Sequence, residues 1–515
     1  MKTKRTKGLL AVALGSALIF LGLLSGCTAS AQRHAEVLGA PAPCGQDDTA
    51  ALQQALDRVS NGGVLVLGAG EYHVDGALCV PEKATLRAVQ GALLCVGKEG
   101  SLTVNGRVQA GIYPIFAVEG QLQGSSPSTA YPQWFGAKGD GTTDDSRALE
   151  QAVRCFATVK LPETGDGGYV LGDVRLEKAV TVEGVGNSRI TVLPAKGCEA
   201  VFCVAGSGIS VKNFVINGAS MKKDSTAFLM DSQRGDMSDI SIENIHATAL
   251  WGFLKDNGGE HSVTRFDCHS IQTTDYRGGQ FYMTRFTEGI TMSEIVVSAF
   301  ANVYFPGIWV ENANGWNLQD MDVAGGRLSG EGGHGMVFVN SKNVVLERAM
   351  MEFISGKGLW LKNCSGFSVG SWVSSPYQQE AILLEQVTDS RFDLLNIVGE
   401  YELNPIEGAT ADCLVLRDCS NCEFVNVNIN RCYFQSLVLE NCTDMRFKTL
   451  LIENNFGNGI LEKGTSDRNI FEGVTISNIE SDAEVVLVGE NSEIRGLSTD
   501  ELGFCQRYTK QGAEQ

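Results

Sequence analysis

A short strand pattern repeats along most of this chain at a nearly fixed interval. From about residue 226 it takes the form apolar-x-apolar-x-Asn, as in Ile308/Val310/Asn312, Met336/Phe338/Asn340, Leu359/Leu361/Asn363, Ile382/Leu384/Gln386, Leu414/Leu416/Asp418 and Leu437/Leu439/Asn441. Successive copies start 28, 23, 23, 32 and 23 residues apart. A second pattern, apolar-x-apolar-x-x-apolar-x-apolar, accompanies the first: Ile290/Met292/Ile295/Val297, Trp316/Leu318/Met321/Val323 and Met445/Phe447/Leu450/Ile452 are examples. Alternation with period two puts the apolar side chains on one face of a strand. Recurrence at about 23 residues then lays each strand on its counterpart one winding earlier, at roughly 4.8 Å. Independent strands of a sandwich would not keep that register. The expectation is an all-β solenoid with a three-sided coil: two strands parted by a two-residue bend, plus one more. Asn suits the bend because its amide can bond backbone groups in the coils above and below.

Composition agrees with a turn-rich β protein and removes some functions. There are 60 Gly against 11 Pro, and the 43% hydrophobic content suffices for a large core. Forty-one basic residues face 60 acidic ones, a formal charge of −19, which argues against nucleic-acid binding through bulk charge. Six His weigh against a His-rich metal centre.

The repeat resembles the right-handed parallel β-helix. Trp134-Phe135-Gly136-Ala137-Lys138-Gly139-Asp140-Gly141-Thr142-Thr143-Asp144-Asp145, followed by the amphipathic stretch Ala148 to Val153, resembles the opening segment of the pectate-lyase-like superfamily. That resemblance implies a helix capping the open end of the solenoid, where unpaired strand edges need cover. A copy lies 97 positions upstream, with Asp47-Asp48-Thr49-Ala50-Ala51-Leu52 matching Asp144-Asp145-Ser146-Arg147-Ala148-Leu149, and Tyr72 matching Tyr169. The expected organisation is a leader at 1–26, a partial duplicated module at 27–129, the main β-helix at 130–505 and a tail at 506–515.

Lys2, Lys4, Arg5 and Lys7 precede an apolar run from Leu9 that ends in Leu24-Ser25-Gly26-Cys27. This resembles a bacterial lipoprotein signal, which implies lipidation at Cys27 and an exported, membrane-anchored protein. Thr28 after the Cys resembles the outer-membrane sorting pattern. Cys364, Cys419 and Cys442 sit in matching contexts and are expected to form a buried column. Cys198 with Cys203, and Cys413 with Cys432, are possible disulfide pairs.

The x positions of the first pattern point outward and stack into a stripe along which a linear polymer can lie. Tyr282, Trp309 and Trp360 stand out there, since sugar rings stack on exposed aromatic faces. Long loops before this strand, 273–279, 299–307, 324–335 and 399–412, would wall a cleft. They carry Asp275, Tyr276, Arg277, Tyr304, Arg327, Glu331 and His334, with Lys357 nearby, Glu311 on the floor and Lys362 on the stripe. Gly332-Gly333-His334-Gly335 resembles the Gly-His-Gly element of polygalacturonases, which implies a relay role for His334. Where that family has an Asp pair one coil earlier, this chain has Tyr304-Phe305-Pro306-Gly307.

Three functions stay open. Hydrolysis would use Glu311 with Glu331 or Asp275. β-Elimination on a uronate would draw on Arg277, Arg327, Lys357, Tyr304 and His334. A non-catalytic glycan-binding or adhesive surface protein needs no acid pair. The expected partner is a polysaccharide, the membrane being reached through the lipid anchor. No cofactor is expected, with calcium a possibility at Glu400, Glu402 and Glu407.

Overall fold

The computed structural model describes residues 36–165, 167–299, 305–325, 333–377, 379–399, 412–479 and 484–499, together with the strand Tyr508–Lys510. The chain is a right-handed parallel β-helix, and every pairing among its strands is parallel. From Val174 onward the short strands form a 14-stranded sheet, and the longer ones belong to an 18-stranded sheet. Pairing runs from each strand to its equivalent one coil later, so Ile308, Met336, Leu359, Ile382, Leu414 and Leu437 are direct partners in series.

The coil differs from the sequence expectation at its bend. The second pattern forms one strand rather than two, as in Ile290–Ser298 and Asn317–Ala324. One residue in the left-handed region turns each strand: Glu294 has φ 55°, Asp320 54° and Thr449 59°. A single left-handed residue redirects the chain while neighbouring coils keep their ladder bonds, so two sheets make three sides. The Asn that closes each short strand is left-handed as well, at φ 61° for Asn312, 52° for Asn340 and 54° for Asn363. Asn tolerates that conformation better than most residues, and its side chain bonds its equivalent one coil earlier: Asn363 Nδ2 donates to Asn340 Oδ1 at 3.2 Å, and Asn441 Nδ2 to Asp418 Oδ1 at 3.1 Å, while the expected backbone contact is made where Asn441 Oδ1 accepts the Thr465 N–H at 3.1 Å.

Inward side chains form columns. Phe202, Phe228, Phe253 and Phe281 stack at 5.4, 5.3 and 5.2 Å between centroids. Phe392, Phe424, Phe447 and Phe471 form a second, near-parallel stack at 4.7, 4.6 and 5.1 Å. Each such buried ring contributes about 1.5–3 kcal/mol of transfer free energy. Cys364, Cys419 and Cys442 are buried, each thiol donating to carbonyls in its own and the preceding coil. Cys413 and Cys432 are bonded, with Cα atoms 6.2 Å apart, whereas Cys198 and Cys203 are free thiols and not the pair that their spacing allowed.

Charge also follows the ladder. On the larger sheet Lys160, Glu183, Lys212, Glu243 and His269 are successive partners. On the smaller one Lys362, Glu385, Arg417, Glu440 and Lys463 alternate in the same way.

The upstream copy is a short three-sided solenoid with sheets of four, three and three strands. Its helix α1 (Thr49–Arg58) and the main helix α2 (Ser146–Cys155) are held by the same bonds. Thr49 N–H donates to Asp47 as Ser146 N–H does to Asp144, and Gly76 N–H reaches Thr49 Oγ1 as Gly172 N–H reaches Ser146 Oγ. Asp48 accepts from Cys44 and His73 N–H, and Asp145 from Lys138 and Gly139 N–H. α2 sits between the two solenoids: it packs on Gln121–Gly124 of the first and Phe156–Pro162 of the second, and Arg147 and Gln151 donate to Val118 O at 3.0 Å.

Candidate functional site

The outward column of the 14-stranded sheet runs Lys255, Tyr282, Trp309, Val337, Trp360, Leu383, Val415, Val438. Its two halves differ. Lys255, Tyr282 and Trp309, together with Trp251, Phe305 and Pro306, line a cleft of about 400 Å³. Tyr282 and Phe305 are each 43% exposed, so these rings face solvent. Tyr282 and Trp309 lie nearly parallel, 21° between planes and 6.4 Å between centroids, because the ladder superposes them. Trp309 is fixed from beside, its Nε1 donating to Glu311 Oε1 at 2.8 Å.

Gly278 lets the chain pass beneath Trp251, since a Cβ there would lie 2.4 Å from Trp251 O. Lys255 Nζ donates to Asp224 O at 3.1 Å, and burial pulls its ammonium below the ordinary lysine range. Burial, followed by the Glu311 and Asp256 charges, pushes the Tyr282 hydroxyl up. Asp256 is a structural acid, accepting from Thr284 Oγ1 at 2.8 Å and from the Thr284 and Arg285 N–H groups.

Beyond Val337 the stripe closes. Leu383, Val415 and Val438 point outward yet are buried, forming a small apolar cluster against half-buried Trp360. Trp360 thus belongs to a different environment from Tyr282 and Trp309, with which the sequence groups it. Its Nε1 donates to Glu385 Oε2 at 2.9 Å, and Lys357 and Lys362 lie 5.2 and 5.8 Å from its ring. The His334 ring meets it edge-on at 5.4 Å, while His334 Nδ1 accepts the Lys357 N–H at 2.9 Å. Burial, reinforced by Lys357, pushes the imidazole down to about 4, so it is neutral at pH 7 with its proton on Nε2. Lys357 Nζ stands 3.6 Å from Glu380, and Arg417 lies 3.4 Å from Glu385 and 3.5 Å from Glu440.

The expected residues therefore separate. Glu311 is bonded to Trp309 beside the aromatic cleft, whereas His334, Lys357 and Lys362 surround Trp360. Asp275 is exposed at a corner, in the left-handed region with φ 51°, and Arg277 reaches Ala219 O at 3.5 Å. Tyr276, expected on the cleft wall, is buried in the core, which raises its hydroxyl far above the ordinary range. Tyr304, Arg327, Glu331, Cys27 and the Glu400, Glu402 and Glu407 set lie outside the described residues. Among the described residues no cluster of three or more His, Cys, Asp or Glu has metal-binding geometry, and no helix is long and apolar enough to cross a membrane.

Sequence reasoning missed Trp251, Lys255 and Phe305. Trp251 and Phe305 sit in corner loops with no period. Lys255 lies on a three-residue strand, Leu254–Asp256, and only its register with Tyr282 would have revealed it.

No protein-family profile and no curated protein sequence matches this chain. Solved structures do. The A-module of the mannuronan C-5 epimerase AlgE6 of Azotobacter vinelandii aligns at 14% identity over 72% of this chain and 99% of its own, with a TM-score of 0.35. PfbA, a surface adhesin of Streptococcus pneumoniae, aligns at 11% identity over 71% and 93%, TM-score 0.36. The enzymatically active domain of tailspike protein 2 of bacteriophage CBA120 aligns at 12% identity over 72% and 51%, TM-score 0.36.

Proposed function

We propose that this protein binds a polysaccharide and acts on it, the polymer running along the outer face of the 14-stranded sheet parallel to the solenoid axis. The cleft of Trp251, Tyr282, Phe305 and Trp309 is its sugar-binding site. The observation carrying this reading is the parallel pair of exposed Tyr282 and half-buried Trp309 lining one open cleft, a surface on which the C–H faces of sugar rings stack. Four aromatic side chains around one open cleft are more than fold stability asks of a surface. Affinity electrophoresis against a panel of neutral and acidic polysaccharides tests it: at least one should retard the full chain, and Trp309→Ala and Tyr282→Ala should abolish the retardation. Retention unchanged in both variants would sink the cleft.

A purely adhesive role is the second reading. It is favoured by Glu311, the floor acid, having one oxygen committed to the Trp309 indole. In either case the Leu24-Ser25-Gly26-Cys27 segment supports an exported protein anchored through a lipid on Cys27. Cys27→Ser should release it from the membrane fraction.

A further inference from the structure

Among the described residues one cation, Lys255, lines the aromatic cleft. The outward column of the 14-stranded sheet runs Arg175, Cys203, Leu229, Lys255 before it reaches Tyr282 and Trp309. Its two cations are held differently. Arg175 is pinned by carboxylates, Glu177 at 2.8 Å and Asp231 at 2.7 Å. Lys255 Nζ donates instead to a backbone carbonyl, Asp224 O at 3.1 Å, and forms no ion pair among the described residues.

An ammonium has three N–H donors, and that carbonyl takes one of them. Gly252 makes room for the Lys255 stem, since a Cβ there would lie 2.9 Å from Lys255 Cε. The side chain is thus half-buried against the wall, with its other donors left for a ligand. The acids nearby do not take them. Asp256 has its oxygens on Thr284 Oγ1 and on the Thr284 and Arg285 N–H groups, and Glu311 has one on the Trp309 indole. Asp224, on an exposed turn at φ 68°, gives Lys255 its carbonyl and not its carboxylate. Arg277, next to the lining Gly278, is a second, exposed cation that ends on a backbone carbonyl, Ala219 O. Burial costs the Lys255 ammonium its hydration, and an incoming anion offsets that cost.

We infer that the cleft selects sugars carrying an anionic group, a carboxylate or a sulfate, and that Lys255 is the residue that reads it. This selectivity rests on the glycan reading above and narrows it to acidic polysaccharides. Register sets the arrangement. Lys255 stands one coil, roughly 4.8 Å, before Tyr282 and two coils before Trp309. A ring stacked on the aromatic pair therefore has its substituent, or that of the next sugar along the axis, within reach of the ammonium. Stacking on the rings accepts neutral and charged sugars alike, and the ammonium supplies the discrimination.

Affinity electrophoresis of the full chain tests it, with polygalacturonate, alginate and a sulfated galactan each compared with its carboxyl-reduced or desulfated form. At least one acidic polymer should bind about tenfold or more tighter than its neutral form, and the pair that shows it tells carboxylate from sulfate. Lys255→Met keeps the stem over Gly252. It should weaken binding of that polymer about 10- to 100-fold, the scale of one charge-assisted hydrogen bond, and leave binding of the neutral form unchanged. Lys255→Arg, which keeps the charge, should stay within about fivefold of the parent. At about 1 M salt the parent and Lys255→Met should converge, which a merely structural loss would not do. If Lys255→Met fails to fold, the acidic-to-neutral ratio of the parent and its decline with salt decide the case. Equal binding of acidic and neutral forms overturns the selectivity and leaves the cleft standing. Unchanged binding in Lys255→Met beside lost binding in Trp309→Ala does the same. A chain that retains no polysaccharide, acidic or neutral, overturns the cleft reading instead, and the selectivity falls with it.

Discussion

One column of outward side chains serves two purposes along its length. Between Lys255 and Trp309 it presents rings to an open cleft, and from Leu383 to Val438 the same strand position is buried. Backbone geometry is common to both stretches, so what differs is the company each residue keeps at the corners. Trp251, Phe305 and Pro306 stand around the first stretch without sealing it, while charged neighbours close over the second. Outward in a β-helix therefore means available for function only where the adjoining corners leave room.

The largest expected effect is on the closed stretch. Leu383→Ala should lower unfolding stability by about 2–4 kcal/mol, as other buried Leu truncations do, with polysaccharide retention intact. Trp309→Ala should do the reverse. Its unfolding stability should fall by less than that of Leu383→Ala, by about 1 kcal/mol, because Trp309 is only half-buried. Its affinity should fall about 30-fold, on the scale of a binding hot spot. Equal destabilisation by the two substitutions would erase the contrast.

The acid limb sharpens the contrast further. His334 has a depressed folded value, about 4 against 6.5 for a free imidazole, so the unfolded chain binds the extra proton between those values. Its contribution is complete above pH 6.5 and is lost as pH falls toward 4. His334→Gln supplies an acceptor for the Lys357 N–H, as Gln435 at the same position four coils later does for Asn458, and should remove about 1–2 kcal/mol of that pH dependence in denaturant titrations. Smallest of all, Lys212→Glu places like charge against Glu183 and Glu243 and should cost under about 1 kcal/mol, fading at high salt.

The scaffold was legible because its determinants are periodic. Apolar alternation, the Asn at each strand end and the Asp-Asp cap motif with its upstream copy are all local patterns, and each has its expected place. The single-residue bend was harder to read, because Glu294, Asp320 and Thr449 share a backbone conformation and no side-chain type. The site was half legible. Tyr282 and Trp309 lie in the strand pattern, but Trp251 and Phe305 come from irregular corners that only folding brings together.

Ladders of alternating sign also bear on how such a chain can change its length. Deleting one winding from the run Lys362, Glu385, Arg417, Glu440, Lys463 would bring like charges face to face, whereas deleting two restores attraction at the new junction. Growth and shrinkage of this body are thus least costly in even steps, a parity rule written into its surface.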